Sequence, residues 1–281
     1  MECEVLFLGF GPITHAFMSN LIEKGKKVIV VTKRPIEIST TSCYPSDLFQ
    51  VLDWSDALKS RIECLSTYIG WRQSPRSQAY GQELLNWVES ANLNTAKIHH
   101  LSSASVYTGE KMYFLESDFN FRKTEGSLNA KQELERIVFE ISLVKQAKFV
   151  NYRIANVYGI GFNRGFINES IHNLRNNQPI KIYKHSDLIR DYLLVDDLVS
   201  ALSLLRLHDF PQEILNISTG CGISISEAID LLKMLKSEDL GFIEEEAPED
   251  ILLRSVLSCK TLQETIYWKP KLLESSLKLL I

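Results

Sequence analysis

The stretch Val5-Leu6-Phe7-Leu8, an unbroken apolar run that stops at Gly9-Phe10-Gly11, constrains the fold more than any other part of the chain. A short run without polar alternation fits a parallel strand buried on both faces, and such strands need helices over both sides of their sheet. Pro12 suits the first turn of a helix, where its missing N–H is no loss. Ala16, Phe17, Leu21 and Ile22 then repeat with helical spacing, and the helix closes near Gly25 among Lys24, Lys26 and Lys27. Lys27 to Thr32 follows as a second buried strand, completing a βαβ unit of about 30 residues.

The alternation continues with strands near 48–52, 62–69, 96–103 and 148–154 and helices near 79–91 and 127–145. This order predicts an α/β fold, a Rossmann-type doubly wound parallel sheet. After Gly159 the texture changes to Asn- and Gly-containing loops, a helix around 166–176 and short strands near 180–184 and 190–195. These pieces read as a small C-terminal substrate lobe at the carboxyl edge of the sheet, where ligands of open α/β sheets bind. The expected division is a dinucleotide-binding core over 1–159 and a mixed region over 160–281, within one integrated unit. Ser224-Ile225-Ser226-Glu227 has the form of a capping box, and Asp196 and Asp197 read as a helix N-cap and a first-turn acid. Glu244-Glu245-Glu246 reads as a solvated loop.

With 281 residues, 45% of them hydrophobic, the chain can bury a large core. A net charge of −4 leaves no basic footprint for nucleic acid and favours a small-molecule ligand. The five cysteines are scattered without a C-x-x-C pair, which suggests neither a disulfide framework nor a zinc site. His99 and His100 lack a third ligand near them and read as strand residues, so no metal is expected. The first apolar run ends before leader or membrane-span length, so no membrane association is expected and the cytoplasm is the expected compartment.

The loop Gly9-Phe10-Gly11-Pro12-Ile13-Thr14 stands where a dinucleotide fold lets a pyrophosphate approach backbone N–H groups at a helix N-terminus. Thr14 occupies the place of the third glycine of G-x-G-x-x-G, which argues against close packing of helix on strand. Thr32-Lys33-Arg34 ends the second strand where NAD-binding chains carry an acid, and the two cations favour NADP over NAD. Asp53, after the third strand, is placed to meet an adenine or to be an exposed strand-end acid. A tight turn with no cofactor at all is the alternative reading of the glycine loop.

Past residue 96 a series of motifs follows in order. Ser102-Ser103-Ala104-Ser105-Val106-Tyr107 has the form S-S-x-x-V-Y, Arg153-Ile154-Ala155-Asn156-Val157-Tyr158-Gly159 the form R-x-x-N-V-Y-G, and Arg190-Asp191-Tyr192-Leu193-Leu194-Val195-Asp196-Asp197 the form R-D-(Y/F)-x-x-V-x-D. With Cys259-Lys260 and Tyr267-Trp268-Lys269-Pro270, these make the chain resemble the extended short-chain dehydrogenases/reductases, the NAD(P)-dependent nucleotide-sugar epimerases and dehydratases. The resemblance runs from Gly9 to Pro270. It implies a catalytic role for Ser103, a place beside nicotinamide and sugar for Asn156, and contact of Arg190 with the substrate diphosphate, which a planar guanidinium suits. Asp250 falls at the family's substrate-nucleotide acid, with Ala247 where its arginine partner is expected. The substrate implied is a small-molecule nucleotide sugar.

The family moves its proton with a tyrosine paired to a lysine four residues later on one helix face. Here Lys131 matches that lysine and Ser127 stands in the tyrosine's place. A serine hydroxyl is too weak an acid and too short an arm for the ordinary transfer. Three readings follow. An altered epimerase or reductase would use Ser103, Ser127 and Lys131 with a held water, or recruit Tyr107 or Tyr158. A catalytically silent sensor or subunit would bind NADP or a nucleotide sugar. An isomerase or lyase would use the scaffold without redox. The cofactor would meet Gly9, Gly11, Ile13, Thr14, Thr32, Lys33, Arg34, Asp53 and Lys131. Family dimers pair the two helices that begin here near 79 and 127, so a homodimer is permitted.

Overall fold

The computed structural model describes residues 1–33, 43–70, 78–123, 128–183, 188–209, 212–235, 241–246 and 252–280. Arg34, Ser127, Ala247 and Asp250 lie outside the described residues. The chain opens with β1 (Glu2–Leu8), α1 (Pro12–Glu23), β2 (Val28–Thr32), β3 (Phe49–Asp53), α2 (Trp54–Lys59) and β4 (Arg61–Ile69). It continues through α3 (Gln78–Ser90), β5 (Asn92–Ser103), α4 (Ala130–Val144), β6 (Lys148–Ile154) and β7 (Asn156–Tyr158). Then come α5 (Phe166–Arg175), β8 (Ile180–Tyr183), β9 (Ile189–Leu194), α6 (Val195–Leu205) and β10 (Ile214–Ile217). The last part holds β11 (Gly222–Ser224), α7 (Ile225–Leu235), β12 (Phe242–Glu245), β13 (Arg254–Ser255), α8 (Lys260–Thr265) and α9 (Leu273–Leu277). Among the described residues, no helix is long and apolar enough to cross a membrane.

Seven strands form one sheet in the order β10-β6-β5-β4-β1-β2-β3. The chain steps outward from β1 in one direction and then from β4 in the other, so the order reverses between β1 and β4, the switch point of a doubly wound sheet. Val5 to Leu8 and Val28 to Val31 are all buried, as strands covered on both faces must be. Helix α1 lays Phe17, Met18, Leu21 and Ile22 on the sheet, where Phe17 meets Phe7 and Tyr68 edge to face. It ends at Gly25, whose φ of +70° lets Lys26 N–H donate back to the Leu21 carbonyl at 3.0 Å. The expected strands and helices up to residue 154 are all present with shifted ends. The long helix starts at Ala130, because Asn129 and Gln132 form a reciprocal capping box there.

The chain packs as two compact units. The first comprises Met1–Ser102, Phe119–Arg153 and Leu202–Leu215, and the second Ser103–Asp118, Ile154–Ala201 and Asn216–Ile281. In the second, β9 pairs with β7, β11 and β13, and β8 pairs in parallel with β12. That pairing places Glu244 and Glu245 on a strand rather than in the expected loop, Glu245 accepting from Lys181 at 2.8 Å. The capping box Ser224 to Glu227 is present at the start of α7. Asp196 and Asp197 both lie inside the first turn of α6, and neither precedes it as an N-cap. The Asp197 carboxylate instead accepts from the Lys271 backbone N–H at 2.7 Å.

A buried ion pair ties the first unit together. Arg153 on β6 donates from Nε and Nη2 to the two oxygens of Glu135 on α4, at 3.1 and 2.8 Å, and neither side chain has solvent exposure. Nη2 also donates to the Phe119 carbonyl at 3.1 Å, and Ser102 at the end of β5 donates to Glu135 at 2.6 Å. Removing one partner would strand the other charge, so Glu135→Gln is expected to cost about 3–5 kcal/mol in urea unfolding, with the joint change Glu135→Leu and Arg153→Met recovering much of that. A single variant as stable as the wild type would show that the pair does not hold the unit.

Candidate functional site

In the first unit, the glycine loop leaves the carboxyl end of β1 at the switch point. Gly9 has φ +94°, a region side chains resist, and its N–H donates to the Val31 carbonyl at 2.9 Å, so the turn is pinned against the end of β2. Gly11 is the N-cap of α1 and offers no side chain to the first-turn N–H groups. Those donors and the helix dipole make an anion-binding terminus. Thr14 is buried, with its hydroxyl close to the chain just beyond β4. Gly70, just beyond β4, lacks the Cβ that would stand 2.9 Å from the Thr14 hydroxyl. A glycine thus faces Thr14 at the end of β4.

At the carboxyl ends of β2 and β3, Thr32 and Asp53 are register partners. Asp53 is an N-cap, its Oδ1 accepting from the Ser55 and Asp56 N–H groups at 2.7 and 2.9 Å, and those bonds lower its pKa. Lys33 forms an ion pair with Glu83 and lies 4.3 Å from the centre of the Trp54 ring. Lys131, the second residue of α4, has its pKa lowered by burial, and no acid forms an ion pair with it among the described residues. His99 and His100 are buried strand residues, His99 stacked between Tyr68 and Tyr152.

In the second unit, Ser103 caps a single 3-10 turn over Ala104–Val106, accepting from the Ser105 N–H at 3.3 Å. Tyr107 donates its hydroxyl to Asn216 at 2.7 Å, and the Tyr158 hydroxyl is bonded to Ser276. Burial pushes the Tyr158 phenol up to about 12. Both phenols named as replacement acids are thus engaged by core partners.

Asn156 and Arg190 come together as walls of one cavity of about 340 Å³, lined also by Phe166, Lys181, Ile182 and Tyr183. Neighbours on a strand point to opposite faces, and the Arg190-Asp191 pair on β9 uses this. Arg190 lines the cavity, where among the described residues its Nη1 reaches only the carbonyls of Ile189 and Leu253, at 2.9 and 3.3 Å. Burial lowers its pKa, and no carboxylate neutralises it among the described residues. Asp191 turns into the core and accepts from Thr219 N–H at 3.1 Å, Thr219 Oγ1 at 2.6 Å and Gly220 N–H at 3.0 Å. Burial nevertheless raises it to about 6. Lys181, Tyr183 and Phe166 were not singled out from sequence, since no local motif marks them. Glu135 had one available signal, its i, i+4 spacing from Lys131.

Two expectations follow. Gly70→Ala should overpack the Thr14 contact and cost about 1–3 kcal/mol, read as a lower Tm and relieved by adding Thr14→Gly; an unchanged Tm would show that the close approach is slack. For Asp191, the folded pKa lies above the unfolded one, so its contribution is most favourable below about pH 4 and is lost as pH rises through 6, on the order of 3 kcal/mol. Asp191→Asn should flatten that part of the stability profile, and an Asn variant that keeps the wild-type slope would assign the slope elsewhere.

The model of the NAD dependent epimerase/dehydratase family matches residues 9–218. CDP-abequose synthase from Salmonella typhimurium is 27% identical over 59% of this chain and 58% of its own length. The Escherichia coli dTDP-4-dehydro-6-deoxyglucose reductase is 27% identical over 50% of this chain and 46% of its own. The matched stretch therefore spans only about half the length of these curated relatives. The UDP-glucose 4-epimerase of Thermotoga maritima, solved with UDP-glucose, superposes with a TM-score of 0.80 at 22% identity, covering 100% of this chain and 97% of that one. This likeness is of fold, a Rossmann-like sheet with flanking helices. With three quarters of its length inside the family model and the same sheet as a solved nucleotide-sugar epimerase, the chain belongs to the NAD dependent epimerase/dehydratase family.

Proposed function

We propose that the chain binds a nucleotide sugar in the second unit and a nicotinamide dinucleotide at the Gly9–Thr14 loop, as an altered epimerase or reductase. The observation that carries the reading is Arg190, a partly desolvated guanidinium without a carboxylate partner among the described residues, beside Asn156 in a cavity of about 340 Å³. A buried cation without a counter-charge is costly, and a diphosphate would supply the charge and accept from the guanidinium fork. The reductase name of one relative and the UDP-glucose held by the similar structure support the same ligand class.

The loop residues fit a dinucleotide, because the positive φ of Gly9 and the uncapped terminus of α1 leave donors for a pyrophosphate. When bound, the nicotinamide supplies a hydride acceptor or donor. Gly9, Gly11, Ile13 and Thr14 would hold the phosphates, and Thr32, Lys33, Arg34 and Asp53 the adenosine end. The ion pair of Lys33 with Glu83 is partly exposed and of the weak surface kind, so a 2′-phosphate can compete with that carboxylate, which keeps NADP ahead of NAD. Lys131, with its lowered pKa, would orient the nicotinamide ribose, and Ser103 would offer its hydroxyl to the substrate in place of the missing phenol. Asp250 would contact the nucleotide of the substrate.

The engagement of Tyr107 by Asn216 and of Tyr158 by Ser276 favours a second reading, binding without turnover. Thermal shift with UDP-, dTDP- and CDP-sugars and with NAD and NADP separates the cases. A ligand at 100 times its Kd stabilises the fold by about 2.7 kcal/mol. Arg190→Met should abolish the shift from nucleotide sugars and spare that from NADP. Nucleotide-dependent change in nicotinamide absorbance distinguishes turnover from silent binding. If no dinucleotide and no nucleotide sugar shifts the Tm, the proposal fails.

A further inference from the structure

Strands β1 and β4 bring Cys3 and Cys64 into register as parallel neighbours. Register partners on adjacent strands carry their side chains on the same face of the sheet, and the strands lie about 4.8 Å apart. That spacing falls inside the roughly 4.4–6.8 Å between Cα atoms that a disulfide spans, though short of its usual value near 5.5–6 Å. Both cysteines are free thiols, Cys3 buried and Cys64 half-buried. They lie in the amino-terminal halves of their strands, whereas the glycine loop and Gly70 follow the carboxyl ends, so the pair is separate from the loop proposed to hold a dinucleotide.

The two thiols are not equivalent. The Cys64 Sγ lies 3.3 Å from the Thr67 hydroxyl, which itself donates to Thr95 at 3.0 Å. The Cys3 thiol beside it, with the Thr67 and Thr95 hydroxyls, lowers the Cys64 pKa to about 7 against the opposing effect of burial. Cys3 moves the other way, raised by its contact with Cys64 and by burial. The thiolate is the reactive form of cysteine, so the more accessible Cys64 is the attacking sulfur and Cys3 the one that resolves.

We propose that Cys64 and Cys3 form a redox-sensitive modification site, a dithiol that hydrogen peroxide converts to a disulfide joining β1 to β4. In the first step Cys64 Sγ attacks the peroxide. An S–O bond forms, the O–O bond breaks, and the departing hydroxide takes up a proton to leave as water, with the sulfur oxidised to a sulfenic acid. In the second step Cys3 Sγ attacks that sulfur. The S–S bond forms, the S–O bond breaks, and the hydroxide leaves with the Cys3 proton as a second water. Two thiols thus lose two electrons, and one peroxide gains them. The ladder hydrogen bonds of the sheet hold the two Cα atoms closer than a relaxed disulfide prefers, so a thiol reductant reopens the bond.

The reduced full chain, treated at pH 7 with one equivalent of hydrogen peroxide, tests this by intact mass and peptide mapping. A loss of two hydrogens is expected, with a peptide cross-link between Cys3 and Cys64 that glutathione undoes. Exposure alone would direct the oxidant to Cys43 and Cys221, both exposed, so Cys64 should react ahead of them. Cys3→Ala should leave Cys64 as a sulfenic acid that a cyclic 1,3-dione traps, and Cys64→Ala should leave Cys3 unoxidised under the same treatment. The mapping uses the unsubstituted chain and does not depend on either variant folding. Peroxide treatment that leaves Cys3 and Cys64 as free thiols overturns the proposal, as does a cross-link between another pair or a Cys3 to Cys64 bond that glutathione fails to reopen.

Discussion

A carboxylate and a guanidinium, both sealed from water, hold the first unit in register. Glu135 takes two bonds from Arg153 and one from Ser102, and Arg153 reaches the Phe119 carbonyl. Helix α4, the end of β5, strand β6 and the chain near residue 119 thereby meet at one charge pair. Such a pair adds little stability over apolar residues of the same volume, but its geometry tolerates few alternatives. Lys131 sits one helical turn before Glu135, so its height along the helix is set by this pair. Ser102 is bonded to the pair and is the residue before Ser103. This buried contact therefore lies within one helical turn of Lys131 and one residue from Ser103, two proposed site residues.

The Arg190-Asp191 dipeptide repeats the theme of charge placed by backbone geometry. Strand alternation sends one charge to a cavity and its neighbour to the core. The core carboxylate is tolerated because three donors on the turn at Thr219 and Gly220 surround it. The cavity cation has only carbonyls among the described residues. A hydrogen-bonded anion and an under-satisfied cation thus lie side by side on one strand, and the second is the one that the proposed ligand would compensate.

Much of this was legible in the sequence. The buried strands, the closure of α1 at Gly25, the capping box at Ser224 and the motif around Arg190 all depend on residues a few positions apart. The departures were less legible. Thr14 reads as a defect in a glycine loop until Gly70 is seen opposite it, more than fifty positions along the chain. Lys33 reads as a free cation until Glu83 is brought beside it. Glu244 and Glu245 read as a solvated loop because no local pattern reveals that β12 pairs with β8.

The sequence by itself determined the fold class, the family and the identity of the residue types at the site, because hydrophobic period, caps and motif spacing are local properties carried by the chain in any conformation. Tertiary structure alone decided which charges are compensated and which are not. Arg153 has Glu135, Asp191 has the turn at Thr219, and Arg190 and the His99 Nε2 are left with unmet capacity among the described residues. Compensation depends on distance and burial between residues far apart in sequence, and those quantities exist only once the sheet has closed and water has left.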